Sequence, residues 1–149
     1  MIIINRTDSD DPNFQKLVGE LDAALKILDG DEHVFYASLN KTDSLKTVVI
    51  AYDDDQCVGC GALRQYEDGA VEIKRMYVLP DLRGKGIASK ILAELEKWAL
   101  ELDYKKCILE TGVNQVEALG LYPKLGYHVI PNYGKYNGQK SSVCFEKVL

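Results

Sequence analysis

Apolar and polar positions alternate along this chain in two rhythms, and the switches between them mark its elements. Residues 1–6 open as a short apolar strand, and the acidic turn Asp8-Ser-Asp-Asp-Pro12 offers caps for a helix. Phe14, Leu17, Val18, Leu21, Leu25 and Leu28 recur at helical spacing, and Gly30 ends the pattern. Residues 33–39 fit a helical turn or a loop. Strand patterns follow at residues 47–52 and 56–65, joined by Asp53-Asp-Asp55, and Glu67-Asp-Gly-Ala70 turns the chain into a third run, 71–79. This predicts an antiparallel meander. Ile87, Ile91, Leu95, Trp98 and Leu102 then form one apolar helical stripe, and residues 106–111 read as strand. A strand, crossover helix and strand in one sheet predict a parallel pair. Residues 114–125 read as a shorter helix, and residues 127–130 and 142–147 as strands flanking the polar Pro131-Asn-Tyr-Gly-Lys-Tyr-Asn-Gly138.

The junction between the third strand and the second long helix carries the most chemistry. Glu72-Ile-Lys-Arg-Met-Tyr-Val-Leu-Pro-Asp-Leu-Arg-Gly-Lys-Gly-Ile-Ala88 is a strand that ends in a basic, glycine-rich turn and opens into a helix. A helix start presents unpaired N–H groups and the positive end of its dipole, so Arg83, Gly84, Lys85 and Gly86 outline a phosphate cradle. A P-loop needs Gly-x-x-x-x-Gly-Lys followed by Ser or Thr, and no such string occurs. A dinucleotide fingerprint needs a third glycine where Gly84-Lys-Gly-Ile-Ala-Ser89 has serine.

Composition narrows the classes. At 149 residues, 46% apolar and 28% charged, the chain has the size and make-up of one globular domain, residues 1–149. The apolar run at the N-terminus is too short for a signal-peptide core and no later stretch could span a bilayer, so a cytoplasmic protein without membrane partners is expected. A net charge of −5 disfavours nucleic acid as a partner and suits a cationic one. Of the four cysteines, Cys57 and Cys60 are close, but both lie in a strand pattern, and Cys107, Cys144, His33 and His128 are isolated. No metal is expected.

Arg83, Gly86 and Ala88 spell Arg-x-x-Gly-x-Ala, which resembles the coenzyme A pyrophosphate motif of the GNAT family of N-acetyltransferases. The resemblance extends further. Glu72 to Val78 is similar to the family's central strand, and Cys107-Ile-Leu-Glu-Thr111 to its next core strand. Asn114 to Tyr127, with Ala118, Leu121-Tyr122 and Leu125-Gly126-Tyr127, is similar to the A-x-x-L-Y-x-x-x-G-F segment. The blocks keep the family's order and spacing over about half the chain. The resemblance implies an α/β (α+β) fold, a single domain with a mixed, mostly antiparallel twisted sheet of six to seven strands. A central parallel pair would be splayed to admit coenzyme A, with about four helices around the sheet. Many members of the family dimerise, often through late strands, and residues 142–147 are read as an edge that could pair in a homodimer.

The same resemblance implies acetyl transfer from acetyl-CoA to a primary amine of a small molecule or peptide. Arg83, Gly84, Lys85, Gly86, Ile87, Ala88 and Ser89 would hold the pyrophosphate. Main-chain groups of Met76, Tyr77 and Val78 would run beside the pantetheine arm, with an N–H near Met76 on the thioester carbonyl, and Asn114 would touch the arm from the other side. An alkyl amine with a pKa near 10 is neutral only about one part in 10³ at pH 7, so a base or water relay is useful. Glu72 is the candidate base. Strand alternation predicts that it shares a face with Lys74, Met76 and Val78. A glutamate paired with Lys74 in solvent is the competing reading.

Tyr122 is the candidate acid for the leaving thiolate, and Leu119, Tyr122 and Leu125 also form an apolar helical face. Pro123 predicts a kink or helix end near Tyr122. Tyr36, Tyr133 and Tyr136 lie in the aromatic segments expected to build the acceptor pocket. Asn114 could equally cap the following helix. The alternative function is a non-catalytic acyl-CoA sensor, which needs the cradle but neither acid nor base.

Overall fold

The computed structural model describes residues 1–39 and 44–149, and it builds one mixed sheet around the predicted strands. Among the described residues the strands are β1 (Ile2–Thr7), β2 (Thr47–Asp53), β3 (Gln56–Glu67), β4 (Ala70–Val78), β5 (Lys106–Gly112), β6 (His128–Ile130) and β7 (Ser142–Val148). The helices are α1 (Pro12–Asp29), α2 (His33–Leu39), α3 (Ile87–Glu101) and α4 (Val116–Lys124). The ambiguous segment 33–39 is therefore helical. Sheet order is β1-β2-β3-β4-β5-β7-β6, and every pairing is antiparallel except β4 with β5.

Both long helices form because each has one apolar stripe and a sheet face to cover. Asp11 caps α1 by accepting from the Asn13 N–H at 2.9 Å, and Pro12 occupies the first turn, where its missing N–H costs nothing. Phe14, Leu17, Val18 and Leu21 bury against Val48, Ile50, Cys57, Cys60, Ala62 and Tyr77 on what we term the front face. Each such side chain contributes roughly 1.5–3 kcal/mol. The predicted stripe overshoots the sheet, since Leu28 is exposed. On the back face, Ile87, Ile91, Leu92, Leu95 and Ala99 of α3 pack against Val49, Val58, Val71, Ile73 and Leu109. Gly61 lets α3 come this close, because a Cβ there would lie 2.9 Å from Leu95 Cδ1.

The parallel pair opens almost at once. Ala70, Val71 and Glu72 pair with Lys106, Cys107 and Ile108, and the ladder stops. Beyond it β4 stays paired to β3 as far as Val78, and β5 to β7 as far as Gly112, so the two strands part with their facing backbone groups unshared.

One expectation about edges is overturned. β7 is interior, paired along β5 from Ser142 to Val148 and along β6 from Cys144 to Glu146. The edges are β1 and the three-residue β6. Residues 142–147 therefore do not offer an open edge to a second copy.

Candidate active site

A bulge in β4 sets the geometry of the site. Cys60 pairs with Tyr77 and Ala62 with Lys74, so Gly61 alone faces both Arg75 and Met76. Arg75 takes up the extra residue at φ +58°, a left-handed conformation that a side chain rarely adopts. Its guanidinium is buried and ion-paired with Asp22 of α1, which anchors the bulge to the front face. A side chain opposite would be crowded, since a Cβ on Gly61 would lie 2.5 Å from Met76 Sδ.

The bulge corrects the predicted face of the strand. Glu72 and Lys74 point to the front, whereas Met76 and Val78 pack with Val71 and Ile73 among the back-face residues. Glu72 does not share a face with Met76 and Val78, because one inserted residue reverses the alternation beyond it.

The front face carries a polar cluster built on tyrosines. Glu72, 6% exposed, accepts from the Tyr133 hydroxyl at 2.6 Å, and Lys74 Nζ donates to Tyr136 Oη at 3.2 Å. Tyr36 of α2 shares hydrogen bonds with Ser141 Oγ at 2.6 Å and Ser142 Oγ at 2.7 Å, and stacks on Tyr136 with centroids 6.4 Å apart. The three tyrosines thus come together, with Tyr133 and Tyr136 engaging Glu72 and Lys74. Burial pulls the Lys74 ammonium below its ordinary range, and Glu72 and Glu110 pull the other way. Burial, then the Glu72 charge, push the Tyr133 hydroxyl up.

Where β4 and β5 part, a cleft opens between the faces, lined by Lys74, Arg75, Met76, Glu110, Thr111 and Tyr122, among others. It encloses about 630 Å³, open solvent included. Thr111 is 3% exposed, and its Oγ1 has no hydrogen-bond partner among the described residues.

Tyr122 reaches this cleft from the back. It is 6% exposed and packs against Tyr127 and Phe145, and its hydroxyl makes no hydrogen bond among the described residues. Burial pushes its hydroxyl well above the ordinary tyrosine range. Pro123 lies inside the last turn of α4, and the helix ends one residue later at Lys124. The Tyr122 carbonyl accepts from Leu125 N–H at 3.0 Å and Tyr127 N–H at 3.1 Å, closing the end that the proline predicts. Tyr122 packs in the back-face core and lines the cleft, whereas Glu72 points to the front and is not among the residues lining it.

At the far end of β4 the glycine turn is left-handed at both of its glycines. Gly84 and Gly86 stand at φ +79° and +82°, with nothing within 4 Å of where a Cβ would be. The first helical bond of α3 runs from Lys90 N–H to Gly86 C=O at 3.2 Å, so the N–H groups of Ile87, Ala88 and Ser89 precede it. Arg83 is held at the turn by its Nε bond to Val78 C=O at 2.9 Å, and its guanidinium carbon lies 5.5 Å from the Tyr77 ring centroid. Glu117 is 3.6 Å from Arg83 Nη1. Asn114 does not cap α4, whose N-cap is Gln115; its Nδ2 donates to Leu28 C=O at 3.3 Å and ties the end of β5 to α1.

The model of the Acetyltransferase (GNAT) family matches residues 13–127. The chain belongs to the GNAT family. An IAA acetyltransferase of Azospirillum brasilense is 33% identical over 142 residues, covering 90% of this chain and 89% of that protein. A solved acyl-CoA N-acyltransferase of Klebsiella pneumoniae superposes with a TM-score of 0.84 at 32% identity, covering 100% and 98% of the two chains. A GNAT acetyltransferase of Elizabethkingia anophelis, solved with acetyl-CoA bound, has the same fold at a TM-score of 0.71 and 19% identity, covering 99% and 98%.

In this GNAT protein the cleft contains groups that sequence reasoning passed over. The sequence marks Glu110 only as part of a strand, yet it lines the cleft, and burial pushes its carboxyl up to about 7. A charged residue inside the apolar run Cys107-Ile-Leu-Glu-Thr111 was the available signal. Arg75 is likewise a charge in a core strand, explained by its place at the bulge. No helix among the described residues is long and apolar enough to cross a membrane, and no three His, Cys, Asp or Glu residues among them converge on a metal position.

Proposed function

We propose that this protein transfers the acetyl group of acetyl-CoA to a primary amine of a small molecule or peptide. The observation that carries the reading is the gap between β4 and β5, which starts beside Glu72, passes the bulge at Arg75 and runs toward the glycine turn. An extended arm fits such a gap because its backbone donors and acceptors are unshared by the partner strand.

The residues divide the work by position. The N–H groups of Ile87, Ala88 and Ser89, with Lys85 and the open glycines, suit a pyrophosphate. The Met76 N–H, which lies at the bulge, serves as the donor to the thioester carbonyl. Tyr122 protonates the leaving thiolate, and its buried hydroxyl keeps its proton until then. Proton removal from the amine falls to one of the two front-face carboxylates, Glu72 or Glu110. Glu72 would reach the amine only through water, because its Oε2 already accepts from Tyr133.

Purified protein incubated with acetyl-CoA and a panel of polyamines, amino acids, aminoglycosides and peptides is the direct test, with thiol release as readout. Release with one class of amine supports the reading. Acetyl-CoA binding without release across the panel replaces it with an acyl-CoA sensor.

A further inference from the structure

The two front-face carboxylates are not equivalent. Glu72 sits in the last rung of the β4–β5 ladder, opposite Ile108, and is 6% exposed with one oxygen on Tyr133. It is not among the residues lining the cleft. Glu110 stands two residues beyond Ile108 and lines the cleft with Lys74, Met76 and Tyr36. Two strand residues advance about 6.6 Å, so Glu110 lies that much farther from the closed end, toward the level of Met76.

We infer that Glu110 takes the proton directly from the acceptor's ammonium, and that Glu72 is a positioning residue holding Tyr133 and the charge of Lys74. This rests on the acetyltransferase reading above. The groups facing Glu110 support the role. The Ser142 hydroxyl from β7 and Lys74 from β4 favour its charged form. Glu72 and Asp29 oppose that form, and Cys144 and Tyr136 also lie within its field. Burial outweighs the favourable pair and leaves the carboxyl at about 7, the range in which a base is both ionised and able to accept at neutral pH.

The protons balance as follows. The ammonium gives one proton to Glu110, which passes it to solvent. The neutral nitrogen bonds to the carbonyl carbon as the C–S bond breaks, and the sulfur leaves with the Tyr122 proton. The nitrogen's second proton restores Tyr122 through water, so one proton is released per acetyl group transferred.

The test uses the acceptor found by the thiol-release screen, with wild type, Glu110→Gln and Glu72→Gln assayed across pH. Wild-type kcat/KM should fall on the acid side of about pH 7. Glu110→Gln should lose that limb and ~10²–10³-fold in kcat, with acetyl-CoA affinity unchanged. Glu72→Gln should keep the limb. A hydrazide analogue of the acceptor, already neutral at pH 7, should restore Glu110→Gln to near wild-type kcat. A Glu110→Gln enzyme with wild-type kcat and an unchanged limb overturns the inference, as does a hydrazide that restores nothing. If Glu110→Gln does not fold, ¹³C titration of the Glu110 carboxyl in wild type decides: a midpoint near 7 supports the role, and one in the ordinary glutamate range overturns it. A wild type silent on every amine removes the acetyltransferase reading itself, whereas an active wild type with an indifferent Glu110 removes only this inference.

Discussion

The Tyr133 hydroxyl donates to Glu72 Oε2 at 2.6 Å, joining the loop between β6 and β7 to the central strand across 61 residues of sequence. Glu72 is buried, so this bond satisfies an oxygen that water reaches poorly. Tyr133→Phe leaves that oxygen unpaired, with an expected loss of about 1–3 kcal/mol in urea unfolding. A loss within about 0.5 kcal/mol would mean that water replaces the hydroxyl.

Tyr122 offers a contrast, because its ring packs in the back-face core while its hydroxyl has no hydrogen-bond partner among the described residues. Tyr122→Phe should therefore change stability by less than about 1 kcal/mol, yet lower kcat ~10²-fold with the acetyl-CoA KM unchanged. Steady-state kinetics beside thermal unfolding separates the two effects. An unaltered kcat leaves Tyr122 with a packing role only.

Gly86 begins α3 at φ +82° with open space where a side chain would start. Alanine there meets no clash and costs only the left-handed conformation, about 1–2 kcal/mol. A lowering of Tm by a few degrees is expected. A Cβ in the mouth of the cradle should also weaken acetyl-CoA binding, by ~10-fold in calorimetry at a loss of about 1.4 kcal/mol. Unchanged affinity would argue that the pyrophosphate lies elsewhere.

The Glu110 carboxyl, raised from 4.5 to about 7 chiefly by burial, also predicts a stability effect with a definite sign. Between these values the folded protein keeps a proton that the unfolded chain releases, so wild-type stability falls as pH rises through the window. Glutamine has no proton to lose. Glu110→Gln should match wild type below pH 4.5 and exceed it above pH 7, by on the order of 1–3 kcal/mol. Urea unfolding at several pH values checks this, and parallel curves would show that Glu110 titrates normally.

What the chain determined by itself is what neighbouring residues decide among themselves. The stripes of α1 and α3, the glycine turn, the meander and the helix end at Pro123 each depend on contacts within a few positions, so spacing and residue type reveal them. The GNAT motifs were legible for the same reason, being short blocks whose backbone conformation is largely local. Tertiary structure alone decided the rest. Alternation assumes a period of two, and whether β4 keeps it depends on Gly61 across the ladder, which yields one position to both Arg75 and Met76. That exchange moved Met76 and Val78 to the face opposite Glu72. The interior place of β7 depends on which strands find its two sides, and the environment of Glu110 depends on Lys74, Ser142 and Asp29 arriving from three separate elements. A carboxyl's charge state is set by those distant groups and by exclusion of water, neither of which is written at its own position in the chain.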